Sequence, residues 1–412
     1  MIEIKKFTLD NGLTVVVNED KTTPFVAFNL LYDVGSKDET EDKTGFAHLF
    51  EHLMFGGSAN IPSFDEPLQR VGGENNAFTN TDITNYYITL PKENIETAFW
   101  LESDRMLCLD FSQKNLNIQK NVVCEEYRQR YLNKPYGDTW LYLRPLVYKV
   151  HPYQWATIGK NIEQIENATL GDVKEFFFKY YAPNNAVLSI SGNITVEEVK
   201  VLAEKWFGPI ERRRVPYRNI PQEPKQTEKR TLTVHKNVPY PSIYKTFKMC
   251  KRLDNDYYIT DFISDILSNG KSSRLYKKLV QEKKLFSDIN AYITGETEEG
   301  LFVFSGNIMK GVRVEDAEKA IDDEVNKLKE GFLFEYELLK VKNKIESTIQ
   351  FSETNILNKA MNIAKFELFG DANLINSEFA NYSKVQILDI KRVANELFVD
   401  ENCCTLYYLP NE

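Results

Sequence analysis

The sequence predicts an α+β chain of two similar domains, and three observations carry the prediction. The chain has 412 residues, 42% apolar and 13% aromatic, which is more hydrophobic material than one core needs. A proline-rich, charged stretch, GPIERRRVPYRNIPQEPKQTEKR (208–230), falls near its middle and reads as an interdomain linker. Each half mixes strand-period and helix-period segments without the strict alternation of a doubly wound parallel sheet. The expected division is a first domain over 1–210, a linker over 211–230 and a second domain over 231–412. Within the linker, Arg212-Arg213-Arg214 lies between Pro209 and Pro216 and reads as solvated chain.

In the first half the strand candidates are LTVVV (13–17), FVAFNLLYDV (25–34), TNYYITL (84–90) and AVLSIS (186–191). In the second they are RTLTV (230–234), SIYKTFKM (242–249) and GLFVFSGNI (300–308). Helices lie between them. In ITVEEVKVLAEKWFG (194–208), Thr195 is the N-cap, Glu198 its capping-box partner, and Val199, Leu202 and Trp206 the apolar stripe that Gly208 ends. Ala317, Ile321, Val325 and Leu328 form a similar stripe before Gly331. A shift of 217 residues lays Asp172-Val173-Lys174 on Asp389-Ile390-Lys391, Tyr181 on Phe398 and Asn185 on Asn402. In both places a helix-like segment leads into an apolar run, AVLSIS or CCTLYYL, which suggests an internal duplication.

Composition narrows the function classes. A net charge of −9 argues against nucleic acid as the main partner. No run of about 18 apolar residues predicts a membrane span, and MIEIKKFTLDNGL lacks the apolar core of a secretory signal. Five cysteines without CxxC spacing suggest neither a disulfide framework nor a thiolate metal site. A reducing cytoplasm is the expectation.

The chain holds four histidines, and two of them stand in HLFEH (48–52). TGFAHLFEHLMFGG (44–57) carries helix signals, with Thr44 as cap and Gly56-Gly57 as stop. On a helix, His48 and His52 lie one turn apart on one face and can share a zinc ion. Glu51 faces the same side and is placed to take a proton from an attacking water. This is the inverse order of HExxH. Such a site needs a third protein ligand. His151 and His235 have no partner motif, whereas the helical segment LNIQKNVVCEEYRQRY (116–131) offers Glu125 and Glu126. Glu126 follows Val122 and Val123 by four and three residues and shares their face, expected to be buried; Glu125 is turned about 100° away and reads as solvated.

These residues resemble the M16 metallopeptidases, among them pitrilysin, insulin-degrading enzyme and mitochondrial processing peptidase. HLFEH resembles the family's zinc motif. KNVVCEEY (120–127) resembles the helix with the third ligand, which implies Glu126 in that role. GGENNAFTNTDITNYY (72–87) resembles the segment whose strand pairs with substrate, which implies peptide binding at Asn76, Ala77, Phe78 and Thr79. HPYQWATIGKNIEQI (151–165) and YYAPNNAVLSISGN (180–193) resemble later landmarks of the catalytic domain, and SSRLYKKLVQEKKLF (272–286) resembles the inactive second domain. The resemblance implies two antiparallel-rich sheets covered by helices, one Zn2+ per chain held by the first domain, and a zinc-dependent endopeptidase for unfolded or short peptides.

Three departures shape the expectation. Gln119 stands where many relatives place a supporting glutamate behind the ligand. LNKPYGDTWLY offers only Asp138 as an acid, so presequence specificity is not implied. Val280 and Ser287 stand where relatives that complete the substrate site from the second domain carry an Arg and a Tyr. A second M16-like subunit carrying that pair is the expected partner, with a self-sufficient homodimer as the runner-up. The other functional reading is a non-catalytic assembly subunit, but such subunits typically have degraded motifs and this one is intact. A metal storage or sensor protein would leave Glu51 without a task.

Overall fold

The computed structural model describes residues 1–411, folded as two compact units. The first is built on six strands: β1 (Lys5–Thr8), β2 (Thr14–Glu19), β3 (Phe25–Tyr32), β4 (Glu74–Thr79), β5 (Thr84–Pro91) and β6 (Ala186–Gly192). Their order is β1-β2-β6-β3-β5-β4. The second is built on five: β7 (Arg230–Lys236), β8 (Ser242–Lys248), β9 (Phe286–Ile293), β10 (Leu301–Ile308) and β11 (Cys403–Pro410), ordered β7-β11-β8-β10-β9. Each sheet has one parallel pair, β2 with β6 and β7 with β11, and the remaining pairs are antiparallel. Without β1 the two strand orders are the same.

The duplication read from the sequence is therefore physical. Helices Leu170–Tyr180 and Ile387–Leu397 stand 217 residues apart and both begin with a capping box, Thr169 with Asp172 and Gln386 with Asp389. Asn185 Nδ2 donates to Tyr180 O at 2.8 Å and Asp33 O at 2.9 Å; Asn402 Nδ2 donates to Leu397 O at 3.1 Å and Lys248 O at 2.9 Å. In both units one asparagine, standing just before β6 or β11, ties the helix end to the end of the neighbouring strand, β3 or β8. The helix Val196–Trp206 carries the expected Thr195–Glu198 box, and Val314–Lys329 buries the expected Ala317, Ile321, Val325 and Leu328. β1 and β9 had no strand signal: KKFT is short and polar, and FSDINAYI does not alternate cleanly.

Two segments cross over between the halves, which a boundary in sequence order at 211–230 does not provide for. Residues 129–154 belong to the second unit and 350–377 to the first. The helix Ile356–Leu368 packs on β2, β3 and β6, where Ile363 and Ala364 meet Val16, Leu31 and Val187. The helix Thr139–Val147 packs on β7, β8 and β11, with Leu143 against Leu406 and Val147 near Leu301. This is why β3 reads as an almost unbroken apolar run: Phe28 faces Phe99 and Phe207 on one side while Leu31 faces Ile363 on the other.

The proline-rich stretch departs in part from its reading as solvated chain: Arg212 and Arg214 are exposed as expected, but Arg213 and Arg218 are held. Arg213 donates to the carbonyls of Tyr181 at 2.6 Å and of Met106 and Leu107 at 2.9 Å, and lies over the rings of Phe177 and Phe178. Arg218 forks onto Asp33 and Asp38. A guanidinium with several donors finds acceptors along a folded surface even where prolines forbid regular structure. Residues 155–221 thus belong to the first unit as packed chain.

Candidate metal centre

The helix Phe46–Leu53 carries the histidine motif. Phe46, Ala47, Leu49, Phe50 and Leu53 are buried and fix its roll, so the other face points outward with His48, Glu51 and His52, all half-buried. Its N-cap is Gly45, not Thr44. Gly45 has φ 85°, and a Cβ there would come within 2.7 Å of the Ile158 carbonyl oxygen, so glycine is required. Gly45 has no side chain to cap with, and the acceptor comes from elsewhere. The buried Glu39 carboxylate accepts from Gly45 N at 3.0 Å and Ala47 N at 2.8 Å. Burial raises the Glu39 pKa well above the carboxylate range, against the pull of those two N–H groups. Thr44 Oγ1 instead donates to Gln164 and accepts from Lys160 N at 2.8 Å. No local sequence signal marks Glu39, because its acceptor role depends on how the preceding loop folds back.

The helix Gln113–Tyr127 supplies the carboxylate. Val123 is fully buried and sets the inward face; Val122 is 44% exposed and does not share it. Glu126, one turn after Val123, faces the histidines: its Oε1 lies 3.7 Å from His48 Nε2 and its Oε2 lies 3.3 Å from His52 Nε2. Glu125 points outward and pairs with Arg128 at 2.5 Å. Gln119 is half-buried two turns before Glu126.

One ligand atom from each of His48, His52 and Glu126 lies within 4.8 Å of the others, the one such cluster found among the described residues. The donor set fits zinc. Ligands about 2.1 Å from a tetrahedral ion stand roughly 3.4 Å apart, and the two nitrogen–oxygen separations bracket that value. The imidazole planes are nearly perpendicular, at 85°, so the two nitrogens do not compete for one direction. Glu51 completes the group, and its charge adds to the burial that pushes up the Tyr86 and Tyr181 phenols. Neither tyrosine was among the expected site residues.

The expected substrate residues lie on β4, the last strand of the first sheet, which packs beside the motif helix. Asn76, Ala77, Phe78 and Thr79 follow one another along it, with Phe78 39% exposed. Ala77 N donates to Asn76 Oδ1 at 2.8 Å. That N–H is turned away from β5 and toward the open edge, with the alternate backbone groups of the strand.

In the second unit the corresponding helix, Asp256–Ser268, carries no histidine. Val280 packs partly against the core and Ser287 is an exposed hydroxyl on β9. Arg274 is held by both oxygens of Glu337 at 2.8 Å, and Tyr292 is half-buried beside the helix Thr139–Val147. No described helix is long and apolar enough to cross a membrane.

Both halves of the chain are similar to known proteins. The profile described as Insulinase (Peptidase family M16) matches residues 14–136, and that of the Peptidase M16 inactive domain matches 167–345. A Helicobacter pylori protein named Zinc protease PqqE is 32% identical over 98% of this chain and 92% of its own length. An Arabidopsis thaliana protein named Probable mitochondrial-processing peptidase subunit beta is 22% identical over 97% of this chain and 77% of its own. The crystal structure of a protease from Helicobacter pylori superposes with a TM-score of 0.94 at 31% identity, covering all of both chains. With a relative this similar along its whole length and both domain profiles matched in order, the chain belongs to peptidase family M16.

Proposed function

We propose that this protein is a zinc-dependent endopeptidase that cleaves unfolded or short peptides held as an added strand on β4. The observation that carries the proposal is the convergence of His48, His52 and Glu126, with Glu51 on the same helix. His48, His52 and Glu126 hold one zinc ion, which supplies Lewis acidity and lowers the pKa of water toward about 7. Glu51 removes the proton from the attacking water and returns it to the leaving amine. Gln119 supports Glu126 without adding charge. The backbone of Asn76, Ala77, Phe78 and Thr79 binds substrate through main-chain hydrogen bonds, so selection falls on extended conformation more than on sequence.

The non-catalytic alternative gives an intact ligand set and general base no task. The partner follows from chemistry the chain lacks. A cation and a phenol that grip the peptide and steady the developing oxyanion have no counterpart at Val280 and Ser287, and Arg274 is already engaged. We assign them to a second M16-like subunit in a heterodimer, with a homodimer as the other arrangement. A cytoplasmic setting suits the five free cysteines.

The test separates ligand from base. Glu51→Gln keeps the metal and loses turnover by about 10²–10⁴, whereas Glu126→Gln loses metal first. Elemental analysis and a quenched-peptide assay, each with and without the partner subunit, read both. A Glu51→Gln protein that loses its zinc, beside a Glu126→Gln protein that keeps zinc and activity, refutes the assignment.

A further inference from the structure

The two histidines and the glutamate come from different helices, so the metal centre keeps its shape only while those helices keep their spacing. Ligand atoms about 3.4 Å apart around one ion tolerate displacements of about 0.5 Å. The chain that runs on from the histidine helix lies against both helices. Phe55 N donates to His52 O at 3.1 Å and Gly56 N to Leu53 O at 3.0 Å, so this loop is hydrogen-bonded to the backbone of a ligand residue. A Cβ on Gly56 would stand 2.3 Å from Asn115 Oδ1, in the first turn of the helix Gln113–Tyr127 that carries Glu126.

Two successive residues at the end of the helix Ile95–Leu107 hold the loop. The buried Asp104 carboxylate accepts from Ser58 Oγ at 2.5 Å and Asn60 N at 3.1 Å through Oδ2, and from Asn60 Nδ2 at 2.6 Å through Oδ1. Arg105 is buried and forks onto Glu102 at 2.7 and 2.5 Å. Its guanidinium carbon lies 5.4 Å from the Phe55 ring centroid and 4.3 Å from that of Phe64, under the two ends of the loop. Just before the glutamate helix starts, Ala59 N donates to Cys108 O at 2.9 Å and Asp110 N to Gly57 O at 3.1 Å. Ala59 and Asn60 are exposed, so apolar packing does not fix the tip of the loop. Directional hydrogen bonds to a charged acceptor do.

We infer that Asp104 is a positioning residue of the metal centre. By clamping Ser58 and Asn60 it fixes the loop between the histidine helix and the glutamate helix, and with it the distance from His52 to Glu126. This role presupposes the reading of His48, His52 and Glu126 as zinc ligands. Asp104 acts on them through the loop, so its loss appears first in zinc affinity. Arg105 is the less informative member of the clamp, because removing it strands the buried Glu102 charge and destabilises the whole unit.

The test strips the full chain of metal and titrates it with zinc against a chromophoric chelator of known affinity, beside the Tm of each metal-free variant. Asp104→Ala weakens zinc binding about tenfold or more. Asn60→Ala, at an exposed position, removes one bond and weakens it about threefold. Asp104→Asn keeps an acceptor for Ser58 and Asn60 N, and a turn of the Asn60 carboxamide restores the third bond, so affinity returns to within about twofold of wild type. Ile363→Ala and Thr195→Ala, in the same unit but away from the loop, lower the Tm and leave zinc affinity unchanged. If Asp104→Ala does not fold, Asn60→Ala decides. Unaltered affinity in the clamp variants overturns the inference while wild type binds one zinc per chain. Asp104→Asn as weak as Asp104→Ala, or losses in Ile363→Ala and Thr195→Ala that follow Tm in the same proportion, also overturn it. A wild-type chain that binds no zinc overturns the zinc reading itself, and this role with it.

Discussion

Arg218 lies in the stretch that reads as linker, yet its removal is expected to destabilise the first unit severely. Its guanidinium donates to the Asp33 carboxylate at 2.6 Å and to its carbonyl oxygen, and it pairs with Asp38. The Asp38 side chain is 1% exposed. Truncation to Ala therefore leaves a carboxylate with almost no access to water, and breaking such a pair from one side costs about 3–5 kcal/mol. The Gly35 N–H at 3.0 Å and the nearby Lys37 remain as stabilisers, which favours the lower end, about 3 kcal/mol. Burial already raises the Asp38 pKa, against Arg218 and Lys37. Without Arg218 it rises further, so the folded variant takes up a proton more readily than its unfolded chain. The penalty is then largest at neutral pH and shrinks as pH falls through the raised value. Arg218→Ala is compared with Arg218→Ala/Asp38→Asn by urea unfolding, followed by circular dichroism and tryptophan fluorescence. The double variant, with no charge left to bury, regains more than half of the loss. A loss below about 1 kcal/mol for the single variant, the level of an exposed ion pair, or a double variant no more stable than the single one, would refute the reasoning.

Ala77→Pro removes an N–H that points from β4 toward the open edge, so it raises KM for an extended peptide while zinc content is unchanged; an unaltered KM would rule out strand addition there. In the second unit, burial would raise the Glu318 pKa, but hydrogen bonds from Lys229 and Tyr407 and the charge of Lys245 hold it at about 2. Its folded value lies below the ordinary 4.5, so its contribution is complete above about 4.5 and is lost as pH falls through about 2. Glu318→Gln flattens that acid limb of the stability profile, and an unchanged limb counts against the assignment.

What the sequence made legible was what repeats locally. The four-residue spacing of His48 and His52 needs only a helix, and the Thr195–Glu198 box and the Asn185/Asn402 pair are short-range patterns. Glu126 was distinguished from Glu125 by helix phase, although one of the two valines used as reference, Val122, is in fact exposed. What stayed hidden depends on distant chain. Glu39 caps the motif helix by folding back from a loop, and Arg213 and Arg218 find acceptors that a proline-rich string does not announce. The amphipathic stripes of Thr139–Val147 and Ile356–Leu368 state that each helix covers a sheet, not which one.

That exchange of helices imposes an order on synthesis. The face of β2, β3 and β6 that presents Val16, Leu31 and Val187 is closed by the helix Ile356–Leu368. While the ribosome makes the chain, strands complete by residue 192 must wait with that face uncovered until residues near 360 leave the exit tunnel. The nascent first half thus exposes an apolar sheet face for as long as synthesis of the intervening residues takes. A product truncated between residues 126 and 356 contains His48, His52 and Glu126 and still lacks the surface that closes its sheet.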